Sequence, residues 1–332
     1  MKIAIVGVSG AVGQEFLRIL EERRLPIDEL VLFGSQRSVG RTYKFRGEEL
    51  TVKLLQHNDD FKGIDFALTS AGAGTSKEFA ETITRHGTVM IDNSSAFRMD
   101  ADVPLVVPEI NPDDALKHNG IISNPNCSTI IALTAVNAIN KLSPIEYMVV
   151  STYQAVSGAG AGGPMELEAQ VAALQRGEAA EKRVFRHQIA YNLIPEIGGA
   201  DGQGYTSEEM KMQNEGRKIM HLPELRVTCT CVRVPVMRSH SISASIVTER
   251  ELTVDEVREV IAGAPGCVLE DDMERHIYPM PLFTGGLDTV AVGRIRRDIA
   301  LKNGIALWCC GDQLRKGAAT NAVQIAELLI SK

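Results

Sequence analysis

The sequence lacks an excess of basic residues, and no apolar run in it approaches the ~18 residues of a membrane-spanning helix. Its 332 residues include 35 Lys and Arg against 42 Asp and Glu, a formal net charge of −7. Proteins that bind nucleic acids or membrane surfaces through charge usually carry clustered Lys and Arg on a basic domain. We therefore expect no nucleic-acid partner and no membrane partner, and an anionic ligand must be held by local positive groups.

Cysteine is also scarce, with six residues in the whole chain. This number is too small for a disulfide scaffold, and no two cysteines form a CxxC pair. Cys229 and Cys231 alternate along a strand-like run, and Cys309 and Cys310 lie together in another. These four side chains are predicted to be buried thiols that pack as small apolar residues, and a metal site is not expected.

The composition is that of an ordinary globular protein, since hydrophobic residues make up 44% and charged residues 23% of the chain. A length of 332 residues exceeds one average core and predicts two domains. Met1 leads straight into an apolar strand without a signal-like hydrophobic region, so we expect a cytoplasmic protein.

A glycine-rich loop follows the first predicted strand. Residues 3–6 predict a strand, residues 7–13 contain the spacing GxxGxxG, and residues 14–24 predict an amphipathic helix. In a strand–loop–helix context, such glycines let backbone N–H groups approach a pyrophosphate at the helix N-terminus. The predicted cofactor contacts in this loop are Gly7, Ser9, Gly10, Ala11, Val12 and Gly13.

The second predicted strand, residues 30–33, ends without the acidic residue that binds the ribose 2′-hydroxyl in NAD enzymes. Ser35, Arg37 and Ser38 follow it instead. Two hydroxyl groups beside a guanidinium suit the 2′-phosphate of NADP. NADP is therefore the predicted cofactor, with these three residues as its contacts.

Strands and helices continue to alternate along the first part of the chain. Residues 64–68 and 88–92 predict strands, and residues 76–85 predict the helix between them. This order predicts an α/β fold with a Rossmann-like, doubly wound parallel sheet. Ligands of such sheets bind at the carboxyl ends of the strands, so Ser70, Ala71 and Gly72 are further predicted cofactor contacts.

Cys127 follows a polar turn and opens a long helical pattern. A helix N-terminus lowers the pKa of a thiol from about 8.5, because the dipole and the N–H groups of the first turn stabilise the thiolate. Taken alone, a cysteine at this position is as often structural as catalytic.

Several strings of residues together resemble bacterial aspartate-semialdehyde dehydrogenase over essentially the whole chain. They are the glycine loop, PNCST at residues 125–129, STYQAVSGAG at 151–160, EEMK at 208–211, and RVP at 233–235 leading to His240. The strings occur in the family's order, and the set is far more specific than any one of them.

The resemblance implies the roles of the reacting residues. Cys127 would be the nucleophile, Gln154 would orient the substrate, and His240 would be the general acid/base. A histidine at a strand edge is often only a satisfied polar residue. A reactive cysteine needs a base or a cationic neighbour, however, and histidine serves as either near neutral pH.

The resemblance also implies which residues bind the substrate and the cofactor. Arg233 would bind the substrate α-carboxylate with its planar guanidinium, a task poorly done by lysine. Glu208 would bind the substrate ammonium, and Lys211 and Arg98 would hold phosphate. The other residues assigned by the family pattern are Asn126 as a substrate contact and Ser157, Gly158 and Asn321 as cofactor contacts.

The predicted domains are residues 1–126, an NADP-binding domain completed by a C-terminal helix at 314–332, and residues 127–313, a catalytic and dimerisation domain. The second is expected to be α+β with a mixed or antiparallel sheet, because alternating strands are predicted at 147–153, 227–236, 241–247, 289–295 and 305–310. Capping boxes predict helix starts at Thr206 and Thr253. A homodimer or a dimer of dimers, joined through the sheet, is expected from the resemblance.

The implied reaction is the NADP-dependent reductive dephosphorylation of L-4-aspartyl phosphate to L-aspartate-4-semialdehyde through an acyl-thioester on Cys127. It belongs to the biosynthesis of lysine, through diaminopimelate, and of threonine, methionine and isoleucine. Glyceraldehyde-3-phosphate dehydrogenase is disfavoured because it would show an acidic residue after the second strand. N-acetyl-glutamyl-phosphate reductase is disfavoured because its acetylated substrate offers no ammonium to Glu208. A catalytically silent NADP-binding paralogue is the alternative from another class.

Overall fold

The computed structural model describes residues 1–330 and divides into two compact units. The first unit comprises residues 1–126 and the C-terminal segment that begins at Ala318, and the second comprises residues 127–317. The predicted C-terminal helix at 314–332 corresponds to a π-helix, Arg315–Ala319, followed by an α-helix, Thr320–Ile330. Residues 331 and 332 of that prediction lie outside the described residues.

The helices and strands follow one another in the order below. Residues 1–126 contain β1 (Lys2–Val6), α1 (Ala11–Glu22), β2 (Glu29–Gly34), β3 (Thr42–Phe45), β4 (Glu48–Thr51), β5 (Lys53–Leu54), β6 (Phe66–Thr69), α2 (Ala73–Thr84), β7 (Val89–Asp92), a 3-10 helix (Pro112–Lys117) and β8 (Ile121–Ser123). Residues 127–317 contain α3 (Cys127–Asn140), β9 (Ile145–Gln154), a 3-10 helix (Val156–Ala159), α4 (Gly162–Gln175), α5 (Ser207–Ile219), β10 (Arg226–Arg233), β11 (His240–Thr248), α6 (Val254–Ala262), β12 (Cys267–Leu269), α7 (Pro281–Thr284), β13 (Val290–Arg297) and β14 (Gly304–Gly311). The final helix is α8 (Thr320–Ile330).

The sheet of the first unit is parallel throughout, in the order β5-β2-β1-β6-β7-β8. Counted in chain order within the sheet, this is the 3-2-1-4-5-6 arrangement of dinucleotide-binding folds. The predicted doubly wound sheet is confirmed. The strand order reverses between β1 and β6, the position where such sheets bind their ligands.

Both faces of this sheet are covered because successive residues of a strand point to opposite sides. Ile3 and Ile5 of β1 belong to a core that includes apolar residues of α1 and α8, whereas Ala4 and Val6 belong to a second core with residues of α2. The near-continuous apolar sequence of β1 follows from this double burial.

The sheet of the second unit is mixed, in the order β10-β9-β11-β14-β13-β12. Its central pairs are antiparallel, as the alternation along the strands indicates, but β10 runs parallel to β9 and β12 runs parallel to β13. The expected mixed or antiparallel sheet is confirmed as a mixed one. The direction of the edge strands was not predicted, because alternation shows which face is buried but not the direction of the neighbour. The parallel register places Arg233 directly beside Gln154.

Both predicted capping boxes are present. The Thr206 side chain accepts a hydrogen bond from the Glu209 N–H, and the Glu209 carboxylate accepts one from the Thr206 N–H. Thr253 and Glu256 form the same arrangement before α6. Among the described helices, none is both long and apolar enough to cross a membrane.

Candidate active site and cofactor site

The glycine loop after β1 has a conformation that side chains would obstruct. Gly7 has φ +89°, and a Cβ atom there would lie 2.3 Å from the Ser70 carbonyl oxygen. A Cβ atom on Gly13 would lie 2.4 Å from the Gly7 oxygen. Gly10 is the N-cap of α1 and makes no side-chain cap, so the N–H groups of the first turn are of the kind that bind anions. The loop therefore has the shape and polarity that a pyrophosphate requires.

The predicted cofactor contacts that follow β6 and β2 differ in their exposure to solvent. Ser70 and Ala71, after β6, are half-buried, and Gly72 is exposed at φ +88°, just before α2. After β2, Ser35 and Arg37 are exposed.

Ser38 differs from its two neighbours. It is buried, and its hydroxyl donates a hydrogen bond to the Ser35 carbonyl at 3.1 Å. A Cβ atom on Gly34 would lie 2.3 Å from the same hydroxyl oxygen, so this side chain fills the inside of the turn. Its contact with a 2′-phosphate stays a prediction, and its observed role is to shape the loop that presents Ser35 and Arg37.

Arg98 is buried in a polar network of the first unit, which a solvated loop charge would not be. Its guanidinium donates to the carbonyl oxygens of Asn124 and Asn93 at 3.0 and 2.8 Å. Asn321 is fully buried in the same network, and its Nδ2 donates to the carbonyl of Val106 and to Oδ1 of Asn124. The sequence predicted Arg98 and Asn321 but missed the asparagines that connect them.

Asp92 is another residue that sequence reasoning missed. It lies at the carboxyl end of β7 and is fully buried, with hydrogen bonds from the hydroxyls of Ser76 and Ser94. Burial raises the pKa of its carboxyl, although both hydroxyls and Arg98 act in the opposite direction. Its position as an acidic residue at the end of an apolar strand could have singled it out in the sequence.

Asn126, the last residue of the first unit, is also buried.

In the second unit, Cys127 and His240 lie close together although they are far apart in the chain. α3 begins at Cys127, as predicted, and the Cys127 Sγ lies 3.5 Å from Nε2 of His240 at the start of β11. Gly317 approaches from another direction, because a Cβ atom there would lie 3.0 Å from the Cys127 Cβ. No sequence motif singled out Gly317.

The surroundings of His240 favour one form of its ring. The backbone N–H of Ala155 donates to Nδ1 at 3.1 Å, so a neutral ring carries its hydrogen on Nε2, the atom that faces Cys127. Burial, reinforced by the nearby Arg233 and opposed by Glu208, lowers the pKa of His240 to about 3. The ring is therefore a neutral hydrogen-bond donor at ordinary pH.

Four further predicted residues lie beside this pair. Nε2 of Gln154 donates to Oε1 of Glu208 at 3.3 Å, and Nζ of Lys211 donates to Oε2 at 2.7 Å. Arg233 is 6% exposed and donates through Nη1 to the Ala155 carbonyl at 2.7 Å. Burial lowers the pKa of Arg233, while Cys127 and Glu208 counteract that shift. Glu208, which is buried, and Lys211, which is half-buried, thus belong to a side-chain cluster and are more than a surface ion pair.

Gly158 packs against the same side chains. A Cβ atom at this position would lie 2.8 Å from Nη1 of Arg233 and 3.0 Å from Cε1 of His240. The Ser157 hydroxyl donates to the Met237 carbonyl and accepts a hydrogen bond from Gln313, a residue that the sequence did not point to. The contacts of Ser157 and Gly158 with a cofactor stay predictions.

The four predicted structural cysteines are buried, as expected. Burial raises the pKa of Cys310 to about 11 and raises that of Cys309 as well. The Cys229 and Cys231 sulfurs lie 3.7 Å apart, and their mutual hydrogen bond, together with burial, raises the pKa of Cys229. Within residues 1–330, no cysteine forms a disulfide and no group of His, Cys, Asp or Glu side chains is arranged to hold a metal ion.

Two family models match the chain. One is described as semialdehyde dehydrogenase, NAD binding domain, and matches residues 2–118, and the other is described as semialdehyde dehydrogenase, dimerisation domain, and matches residues 136–316. The aspartate-semialdehyde dehydrogenase of Aquifex aeolicus is 52% identical over 334 residues, which covers 100% of this chain and 98% of that protein. The enzyme of the same name from Bacillus subtilis is 46% identical and covers 99% of this chain and 97% of its own.

The fold of this chain is also similar to that of a solved structure. The crystal structure of aspartate semialdehyde dehydrogenase II from Vibrio cholerae, complexed with ASA, matches with a TM-score of 0.97 at 44% identity. The match covers 100% of this chain and 98% of the other.

Proposed function

Since the chain belongs to the aspartate-semialdehyde dehydrogenase family, we propose that it catalyses the reductive dephosphorylation of L-4-aspartyl phosphate to L-aspartate-4-semialdehyde. This reaction lies on the route to lysine, threonine, methionine and isoleucine. The observation that carries the proposal is the position of Cys127 at the start of α3, where its sulfur lies 3.5 Å from Nε2 of the buried His240. A silent paralogue finds no support, because the curated relatives at 41–52% identity carry the enzyme's name.

Cys127 performs the group transfer. Its thiolate attacks the acyl-phosphate carbonyl, the C–S bond forms, the C–O bond to phosphate breaks, and a thioester remains. His240 keeps its predicted role as general acid/base, and its Nε2–H donates a hydrogen bond to the oxyanion of each tetrahedral intermediate. A neutral donor that is already in place stabilises this charge without solvent reorganisation. After reduction, the hemithioacetal oxyanion collapses, the C–S bond breaks, and the semialdehyde and the thiolate are released.

Arg233 and Glu208 fix the substrate beside the sulfur. The Arg233 guanidinium binds the α-carboxylate, Glu208 binds the ammonium, and Gln154, which is hydrogen-bonded to Glu208, orients the reacting group. Lys211 holds phosphate, and Arg98 and Asn126 keep their predicted substrate-binding roles. Alignment of a substrate in this way can lower the barrier by several kcal/mol, of the order of ~7–11 for ideally oriented reactants.

The cofactor is a nicotinamide dinucleotide, and we propose NADP in preference to NAD. The loop from Gly7 to Gly13 holds the pyrophosphate, while exposed Ser35 and Arg37 hold the 2′-phosphate. When bound, the cofactor supplies a hydride in the reductive direction and takes one up in the reverse direction. Ser9, Ser70, Ala71, Gly72, Ser157, Gly158 and Asn321 keep their predicted contacts.

We further propose that the chain assembles as a homodimer, or a dimer of dimers, through the unit matched by the dimerisation-domain model. Its proposed place of work is the cytoplasm, where thiols stay reduced, because none of the six cysteines is paired in a disulfide.

The direct test is reduction of NADP in the presence of L-aspartate-4-semialdehyde, with and without phosphate. Activity should require phosphate and disappear in Cys127→Ala. Cys267→Ala is the matched control, since both cysteines are half-buried, and it should retain activity. Replacement of NADP by NAD tests the cofactor, and replacement of the substrate by N-acetyl-glutamate 5-semialdehyde tests the rival family. A folded wild-type protein that binds NADP yet shows no phosphate-dependent activity would refute the proposal.

A further inference from the structure

The chain between α4 and α5, residues 176–206, contains no helix and no named strand. Connections longer than about 12–15 residues without secondary structure are uncommon in compact domains, and ordered examples are usually functional. We call residues 183–194 the strap. The strap has no helix or sheet of its own to pair its backbone N–H and C=O groups, so other parts of the protein must pair them. The residues that do so indicate what the strap is for.

Glu166 of α4 holds the first part of the strap. This carboxylate is 6% exposed and accepts hydrogen bonds from the backbone N–H groups of Arg183, Val184 and Phe185. α4 begins with two glycines, Gly162 and Gly163, where the strap approaches. A Cβ atom on Gly162 would lie 2.9 Å from a Val184 methyl, and one on Gly163 would lie 3.4 Å from the Phe185 ring.

Gln170, one turn further along α4, holds the middle of the strap. It is 1% exposed, and its Oε1 accepts from the N–H groups of Ile189 and Ala190 at 2.9 and 3.0 Å. Its Nε2 donates to Glu166 at 3.0 Å, so the two side chains form one buried unit. A buried polar pair that is fully engaged with backbone N–H groups fixes the path of the strap.

The end of the strap is joined to the site. Ile194 and Arg233 exchange two backbone hydrogen bonds, at 3.0 and 2.8 Å. Upstream, the Phe185 ring lies against the Arg233 guanidinium, with 6.0 Å between its centroid and Cζ. An aromatic face attracts a cation at this distance, and more strongly where water is excluded. The strap therefore contacts Arg233 through both its backbone and its side chain.

We propose that Phe185 holds the Arg233 guanidinium in its carboxylate-binding orientation, and that Glu166 and Gln170 are positioning residues that keep Phe185 in place. The inference rests on the proposed function, in which Arg233 binds the substrate α-carboxylate. The Ala155 carbonyl fixes one edge of the guanidinium through Nη1, and the Phe185 ring limits its rotation about that hydrogen bond. A guanidinium aligned before binding loses less entropy when the carboxylate arrives.

The test compares two substrates that differ only in the carboxylate, L-aspartate-4-semialdehyde and 3-aminopropanal. Phe185→Leu should lower kcat/KM for the first about 3- to 30-fold, the range of a cation–π contact, mainly through KM. The KM for phosphate and the activity toward 3-aminopropanal should be unchanged. Phe185→Tyr keeps an aromatic face and should restore wild-type selectivity.

Tyr191→Leu is the matched control, because it makes the same kind of change at a strap residue that is 70% exposed. It should leave both substrates unaffected. Glu166→Gln and Gln170→Leu should reproduce the selective loss of Phe185→Leu. The double variant of Glu166→Gln and Phe185→Leu should be no worse than the more severe single variant, since both act through one contact.

Arg233→Lys separates the failure of this inference from the failure of the proposed function. If Arg233→Lys loses the preference for the carboxylate substrate and Phe185→Leu keeps it, Phe185 has no positioning role and the inference is overturned. Equal losses on both substrates, together with a lowered melting temperature, would show only a structural role and would also overturn it. If Arg233→Lys has no effect, Arg233 does not bind the carboxylate, and the inference falls with that assignment. The proposed reaction is tested separately, by its dependence on phosphate and on Cys127.

Discussion

The two units build their sites from different parts of the polypeptide. The candidate cofactor site of the first unit consists mostly of backbone, with Gly7 and Gly13 placed where a Cβ atom cannot fit and a helix N-terminus without a side-chain cap. The candidate reaction site of the second unit consists of buried side chains, among them Cys127, Arg233 and His240. A backbone site can bind an anion but cannot exchange protons or form covalent bonds. The backbone site of the first unit therefore suits cofactor binding, and the side-chain site of the second unit suits the reaction.

The difference also sets what each site demands of its surroundings. A backbone site needs empty space, which glycine supplies. A side-chain site needs partners, because a buried charge without compensation is strongly unfavourable. Glu208 meets this demand through Gln154 and Lys211, and Arg233 meets it through the Ala155 carbonyl. Substitutions in the first unit should therefore act by filling space that the site needs empty, and substitutions in the second unit by removing hydrogen-bond or charge partners.

The largest effect is expected in the first unit from Gly7→Ala. The φ of +89° and the 2.3 Å approach to Ser70 should together cost about 3 kcal/mol, or roughly 100-fold in the Kd of NADP. Gly63→Ala is the matched control, since Gly63 also has a positive φ, +79°, but a Cβ atom there would meet nothing within 4 Å. Titration of NADP binding measures both variants, and alkylation of Cys127 should proceed at the wild-type rate. Equal binding by the two variants would contradict the backbone description of this site.

Gly158→Ala tests whether a glycine can serve a side-chain site. Its Cβ atom would press on Arg233 and His240, and kcat/KM should fall about 30-fold, since displacement of aligned groups by 1 Å can cost about 100-fold. The Kd of NADP should change less than kcat/KM, because the side chains that the new Cβ atom would press on belong to the reaction site. A large rise in that Kd with unchanged turnover would show that Gly158 serves the cofactor alone.

A smaller effect is expected where the first unit does use a side chain. Arg37→Leu should lower the preference for NADP over NAD about tenfold, because a charge-assisted hydrogen bond contributes about 1.5–3 kcal/mol and this guanidinium is exposed to solvent. Lys62→Leu removes a similar exposed charge elsewhere in the unit and should leave the preference unchanged. Steady-state kinetics with both cofactors provide the ratio. An unchanged ratio in Arg37→Leu would leave the cofactor preference to the backbone alone.

The smallest effect concerns the stability of the second unit at low pH. The pKa of His240 is lowered from 6.5 to about 3 by folding. As pH falls below 6.5, this histidine gains a proton in the unfolded chain but not in the folded one. The stability that its neutral form contributes above pH 6.5 is therefore lost. At about pH 5.5, wild type should lose about 1 kcal/mol relative to His240→Asn, compared with about pH 7.5. Urea unfolding at both pH values measures this. Parallel losses in the two proteins would mean that His240 becomes protonated without cost.

The sequence predicts the first site better than the second because local spacing encodes it. The glycine loop lies directly between a strand and a helix, so it depends on neighbours within a few residues. The same dependence on near neighbours made the capping boxes at Thr206 and Thr253 of the second unit predictable. Cys127 and His240 meet across 113 positions of the chain, and nothing in the spacing of either indicates the other. Only the resemblance to a known family brought them together before the structure did.

Some features were out of reach of both spacing and resemblance. The parallel pairing of β10 with β9 depends on chain direction, which hydrophobic alternation does not encode. Ser38 is buried because the turn after β2 folds over its hydroxyl, although the sequence shows only a polar residue in a polar loop. Phe185 reaches Arg233 through a connection without periodicity. These outcomes depend on tertiary contacts that no local pattern specifies.

The Glu209 carboxylate has a consequence for the handedness of the substrate. One oxygen caps α5 at Thr206, and the other accepts the N–H of Cys231 in β10. The helix that carries Glu208 is thereby tied to the strand that carries Arg233. In the proposed roles of Glu208, Arg233 and Cys127, the ammonium, the carboxylate and the reacting carbonyl would each have a fixed destination around one carbon. A D-enantiomer would satisfy two of these destinations but not the third, so the proposed site would owe its stereoselectivity to a helix cap that touches no substrate.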